Sequence, residues 1–173
     1  MPTTHEHNSR PVAMRAVAMI PLLFMILAAL PASLASKVSI DVVTSCPVDA
    51  HINGCSVPGD LPFFYKETFT PACRMHDVCY RCSNVFGWKK APCDSVFKGN
   101  MYILCEKKYK VPGIFFGSFR VYLCKLAADL YTKVAKTREL GGGHWDKYSF
   151  SKFKWCKMEC AEKMGDPSNE LRL

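Results

Sequence analysis

The sequence is short of acidic residues and has no long uninterrupted apolar run. Asp and Glu number 15 against 23 Lys and Arg, a formal net charge of +8. A basic balance of this kind suits nucleic acid, heparin or anionic lipid as partners. The lysines are scattered rather than blocked, however, and no nucleic-acid motif accompanies them, so a plain solvated surface accounts for much of the excess. Internal repeats and low-complexity tracts are missing too, which excludes solenoid and array architectures. The apolar stretch Ala16 to Leu30 is interrupted by Pro21 and followed by Pro31. An uninterrupted transmembrane span needs ~20 apolar residues, so an anchor is disfavoured. Polar residues 1–15 ending in Arg15, this run, and then Ser33-Leu34-Ala35 have the layout of a secretory signal peptide, with cleavage expected after Ala35.

What the chain does have is cysteine. All 10 cysteines lie beyond that cleavage site, from Cys46 to Cys160. An even number in a secreted chain of this size predicts a disulfide framework of up to five bridges. A zinc site is the competing use; the secretory signal and the uneven spacing, without paired Cys-x₂-Cys sets, weigh against it. Removing residues 1–35 takes away Arg10, Arg15 and Glu6, which leaves a net charge of +7. What remains is enough for one modest domain.

The stretch Thr70-Pro71-Ala72-Cys73-Arg74-Met75-His76-Asp77-Val78-Cys79-Tyr80-Arg81-Cys82 carries the chemistry. Thr70 and Pro71 read as a helix cap and first helical residue. Cys73, His76, Asp77 and Tyr80 then share one face. Ser36 to Thr44 alternates as a short strand or ordered arm, Cys46 to Asp60 is a turn-rich loop, and Ser83 to Lys90 is a polar connection around Gly87. A second helix is expected from Ala91-Pro92 to about Lys108, with Asp94, Phe97, Met101, Leu104, Cys105 and Lys108 inward. Ile114 to Gly117 follows as an apolar loop. A third helix is expected over Ser118–Lys136, with Cys124, Ala128, Tyr131 and Ala135 on a common face. Gly141-Gly142-Gly143 reads as a linker, and Lys136-Thr137-Arg138 as a basic processing site. Phe153, Cys156, Cys160 and Met164 would line one helical face, and Pro167 onward reads as a frayed tail.

Adjacent residues on a helix point about a quarter-turn apart, so Asp77 is badly placed to orient His76. An antiparallel second helix would present Asp94 instead. His76 would donate one ring N–H to Asp94 and use its other nitrogen as a general base. Taken alone, a His-Asp dipeptide is more often a surface pair.

The context is more specific. Cys73-x-x-His76-Asp77-x-Cys79-Tyr80 resembles the active-site signature of secreted phospholipases A2. Asn53-Gly54-Cys55-Ser56 looks like the short calcium loop of atypical branches, and Cys93-Asp94 matches the cysteine that precedes the second catalytic aspartate. The chain resembles conodipines, heterodimeric venom phospholipases A2 made from one precursor. The resemblance implies a mainly α, disulfide-rich fold with two antiparallel catalytic helices, a calcium loop and a third helix. It implies His76 as general base, Asp94 as its orienting partner, Tyr80 as a donor to Asp94, and Asp77 with oxygens near Gly54 and Asn53 as Ca²⁺ ligands. It implies hydrolysis of the sn-2 ester of glycerophospholipids at a membrane or micelle interface, in venom. Residues 36–138 would be the catalytic (alpha) chain and 139–173 a disulfide-linked beta chain.

The resemblance also suggests the bridges Cys55–Cys73, Cys79–Cys93 and Cys105–Cys124. Cys46, Cys82, Cys156 and Cys160 remain, with the last two expected to reach back to the first two rather than pair together. Two departures stand out: Ala72 replaces the first cysteine of the family signature, and Asn53 stands where relatives often have aspartate. Phe63-Phe64-Tyr65 and Ile114-Phe115-Phe116 fit an acyl channel or lipid contact, with Lys66, Lys108 and Lys110 beside them, or simply the core. His51 and His144 read as solvated, Trp145 and Trp155 as packing residues. The alternative function is a non-catalytic toxin on the same scaffold that binds a receptor or channel. A third reading is a disulfide-rich binding domain whose His-Asp pair is incidental.

Overall fold

The computed structural model describes residues 36–52, 54–55, 64–111, 115–137, 143–148 and 152–173. The expected signal peptide, Asn53, Phe63, Arg138 and the side chain of His144 lie outside them. The described chain is mainly α and carries five disulfides. In order it forms strand β1 (Lys37–Ser39), a short helix α1 (Ile40–Ser45), and three long helices: α2 (Lys66–Phe86), α3 (Lys90–Tyr109) and α4 (Phe115–Lys136). Helix α5 (Gly143–Tyr148), a 3₁₀ turn (Lys154–Lys157), helix α6 (Glu159–Gly165) and strand β2 (Glu170–Arg172) complete it.

Helix α2 starts earlier than Thr70-Pro71 predicts. It springs from Tyr65, held in the left-handed region at φ 63°, and Pro71 lies inside it. The proline forfeits a bond to the Glu67 carbonyl, but Glu67 sits in the exposed first turn, where water can satisfy that oxygen. At its other end α2 runs through the expected polar connection to Phe86. Gly87 caps it at φ 71°, a conformation glycine adopts without penalty.

Only Trp88 and Lys89 then separate Gly87 from α3, so the two helices must run antiparallel. Their contacts show it: Cys79 bonds Cys93, His76 meets Asp94, Met75 meets Asn100 and Thr68 meets Tyr109. Helices α3 and α4 are antiparallel as well, through Cys105–Cys124, Glu106–Lys125 and Tyr102–Asp129. Of the expected inward stripe of α3, all are buried except Lys108, which is exposed because the stripe has rotated off the core by the last turn. Helix α4 includes Phe115 to Gly117, which had read as loop.

The core lies between α2, α3 and α4, filled by Phe69, Met75, Val78, Met101 and Cys105. The C-terminal part is not one amphipathic helix. It breaks into the 3₁₀ turn and α6, and these return Cys156 to Cys82 and Cys160 to Cys46. Nor is the end frayed: β2 pairs in parallel with β1, Val38 opposite Leu171. The buried Asn100 of α3 accepts from the Leu171 amide at 2.8 Å, which fixes the strand to the core.

Helix α6 reaches α2 at Gly165. A Cβ there would fall 2.6 Å from Val78 Cγ1 and 2.8 Å from the Trp88 ring. Gly165→Ala gains at most ~1 kcal/mol of helix propensity but overpacks two stiff groups. We expect a net loss of ~1–3 kcal/mol, read as a fall in the denaturation midpoint.

Candidate active site

His76 and Asp94 come together because two disulfide-tied helices bring them together. Cys79 lies one turn after His76, and Cys93 immediately precedes Asp94, so the Cys79–Cys93 bridge fixes the spacing at the site itself. His76 Nε2 lies 2.9 Å from Asp94 Oδ1. A carboxylate only accepts, so Nε2 carries the proton and donates, which leaves the Nδ1 lone pair free to accept. The imidazole stacks on Phe97 at 4.4 Å and lies against the Tyr80 ring at 4.2 Å. Burial pushes its pKa below the ordinary value, with Lys90 adding to that and Asp94 opposing it, so the ring is neutral at pH 7.

Asp94 is 2% exposed yet fully engaged. Tyr80 donates its hydroxyl to Oδ1 at 2.5 Å, and Lys90 donates to Oδ2 at 2.8 Å. Burial alone would raise its pKa; the hydrogen bonds from His76, Lys90 and Tyr80 outweigh that and hold it below the usual carboxylate range. Asp94 is therefore an anion with three donors. The Tyr80 hydroxyl, shielded by burial and facing this anion, is pushed up and stays protonated. Trp145 of α5 closes the site edge-on against Tyr80 at 4.9 Å, so it packs, but against a site residue.

Lys90 was missed by sequence reasoning. It also donates to the Ala135 carbonyl at 2.8 Å, which joins the site to α4. Its four-residue spacing to Asp94 was the available signal. Arg74 was missed as well. Its guanidinium donates to the carbonyls of Val43, Ile52 and Cys46, at 3.0, 2.7 and 3.4 Å, and so seats the loop on α2.

That loop brings Gly54 onto α2. Gly54 adopts φ +129°, and a Cβ would fall 3.2 Å from Thr70 Cγ2, so only glycine fits without strain. Cys55–Cys73 ties the next residue to the helix. Burial pushes the Asp77 carboxyl up to about 7 against the pull of Arg81 and Arg74, and among the described residues it makes no hydrogen bond or ion pair. A half-buried carboxyl with no hydrogen-bond partner among the described residues is a chemically sound place for a cation. Among the described residues no cluster of three or more His, Cys, Asp or Glu surrounds it. A carboxylate oxygen is the donor chemistry that suits a hard cation. Gly54 packs beside Thr70, two turns before Asp77. His51 is exposed.

The chain is 44% identical over 70 residues to conodipine-P2 and conodipine-P1 of Conus purpurascens, a match covering 40% of this chain and 37% of each relative. It is 43% identical over 54 residues to the conodipine-M alpha chain of Conus magus, covering 31% of this chain and 68% of that one. The chain belongs to the conodipine family. The match thus spans little more than a third of the length of conodipine-P1 and conodipine-P2, and two thirds of the conodipine-M alpha chain. No protein-family model matches the sequence, and no solved structure matches the fold.

Proposed function

We propose that this conodipine is a secreted, calcium-dependent phospholipase A2 of venom that hydrolyses the sn-2 ester of glycerophospholipids. The observation that carries the reading is a buried imidazole with one nitrogen committed to a triply held carboxylate and the other available. In this mechanism His76 Nδ1 takes a proton from water as the water oxygen attacks the sn-2 carbonyl. Asp94 holds the tautomer and balances the imidazolium that forms. The imidazolium then returns its proton to the departing glycerol oxygen, giving a fatty acid and a lysophospholipid. Tyr80 and Lys90 keep Asp94 ionised and immobile through both steps. Asp77, with loop oxygens near Gly54 and Asn53, would hold Ca²⁺. When bound, the ion supplies Lewis-acid polarisation of the ester carbonyl.

The reading includes two chains from one precursor. Residues 36–138 would form the catalytic chain and 139–173 a second one, with cleavage near Arg138. Cys46–Cys160 and Cys82–Cys156 support this, since both cross that boundary and would hold the pieces together.

The test is hydrolysis of sn-2-labelled phospholipid by the oxidised, processed protein with Ca²⁺ and with a chelator. Turnover is expected with calcium only. Turnover that survives the chelator removes calcium from the mechanism. No turnover by folded protein in either condition favours the receptor- or channel-binding toxin.

A further inference from the structure

Helix α4 has two apolar faces, and one of them packs on the core. Val121, Cys124, Ala128 and Tyr131 are buried against the core. Phe119, Leu123, Leu126 and Leu130 recur at steps of four, three and four on a different face and are 52%, 38%, 45% and 57% exposed. A surface helix in a soluble protein presents one such stripe, not two.

Cations outnumber acids around this stripe. Helix α4 carries Arg120, Lys125, Lys133 and Lys136 against a single acid, Asp129. Asp129 is already taken up by Lys98 and Tyr102, and Lys125 is paired with Glu106. That leaves Lys133 and Lys136 exposed at one end, with Arg120, which lies over the Tyr109 ring at 4.9 Å, exposed at the other.

From this arrangement we infer that the outer face of α4 docks the protein onto an anionic phospholipid surface, with the stripe inserted and the cations on the headgroups. The choice of lipid as occupant rests on the phospholipase reading; the apolar face and its charge do not. A second copy fits poorly. Two such faces would bring Arg120, Lys133 and Lys136 against their own kind. A bilayer needs no complementary shape, and each cation near an anionic one adds about fivefold in partition.

The test uses the processed protein carrying His76→Gln, with calcium chelated, so that binding is read without turnover. Its partition onto vesicles of phosphatidylcholine alone, and of phosphatidylcholine mixed with phosphatidylglycerol, is measured by sedimentation. Adding Leu123→Glu and Leu126→Glu is expected to lower partition onto both by about tenfold or more. Lys133→Glu with Lys136→Glu should lower it on the anionic vesicles and leave the neutral ones unchanged. Circular dichroism and the thermal midpoint check that these exposed positions leave the fold intact. Unchanged partition in the leucine variant overturns the inference. So does failure of the parent protein to bind anionic vesicles. A concentration-dependent dimer that Leu123→Glu disperses would reassign the face to a second copy. Hydrolysis of a dispersed short-chain phospholipid by the unmutated protein is scored separately. Its absence counts against the phospholipase reading, whatever the vesicles show.

Discussion

His76→Gln is expected to lower phospholipid hydrolysis by about 10²–10⁴-fold, the range for loss of a positioned general base. The substitution is chosen because glutamine keeps what the structure uses and drops what the chemistry uses. Its side-chain amide can still donate to Asp94 Oδ1, where His76 Nε2 now sits at 2.9 Å. It cannot take a proton from water. Asp94 keeps Tyr80 and Lys90 as donors, so no buried anion is stranded and the thermal midpoint should shift little. The measurement is initial rate at saturating calcium beside a melting curve. A rate within tenfold of the parent protein, from a folded variant, would remove His76 from the mechanism.

The second large effect concerns the bridges that join the C-terminal segment to the body. With Cys82–Cys156 and Cys55–Cys73 intact, Cys46–Cys160 closes an effective loop of about 25 residues, through the shortest path that those bridges allow. In the chain-entropy account, deleting it as Cys46→Ala with Cys160→Ala costs ~3.5 kcal/mol. For a chain of this length the melting temperature should fall by ~10–20 °C. Deleting both bridges has a larger consequence in protein cleaved near Arg138. Residues 139–173 would then be held only by packing, with Ala161 and Met164 fully buried against the body. Size exclusion and intact mass should show that segment leaving. In uncleaved protein the same deletions should leave one mass and a lower midpoint. A cleaved, bridge-free protein that stays assembled on dilution would refute the prediction.

The helices and the partner of His76 were legible because each is encoded locally. Inward residues at helical spacing marked α3 and α4, and a three-residue connection forces α2 and α3 antiparallel. Asp94 follows from that packing. Helix ends were less legible. Thr70-Pro71 has the residues of a helix start, but the preceding Lys66–Phe69 is held in the helix by packing of Phe69 into the core, and tertiary burial outweighs a local cap. The β1–β2 pair could not be read, since two three-residue strands from opposite ends of the chain carry no periodic signal. Lys90 and Arg74 look like ordinary surface cations in sequence. Their roles depend on carbonyls 45 and 22 residues away. The break between the 3₁₀ turn and α6 was hidden for another reason: cysteines four apart mimic a helical face, whereas here each is drawn to a different bridge.

The pairing of β1 with β2 sets an order on biosynthesis. Lys37–Ser39 cannot find its strand until Glu170–Arg172 has been made, so this part of the fold waits on a finished chain. In one chain the two strands meet at the millimolar effective concentration that a tether supplies. A cut near Arg138 abolishes that tether, and from then on only the bridges preserve the encounter. Fully reduced and unfolded, the uncut precursor should find its way back from dilute solution, and the cut protein should not. Cleavage would turn a structure that the sequence can regenerate into one that depends on having been folded first.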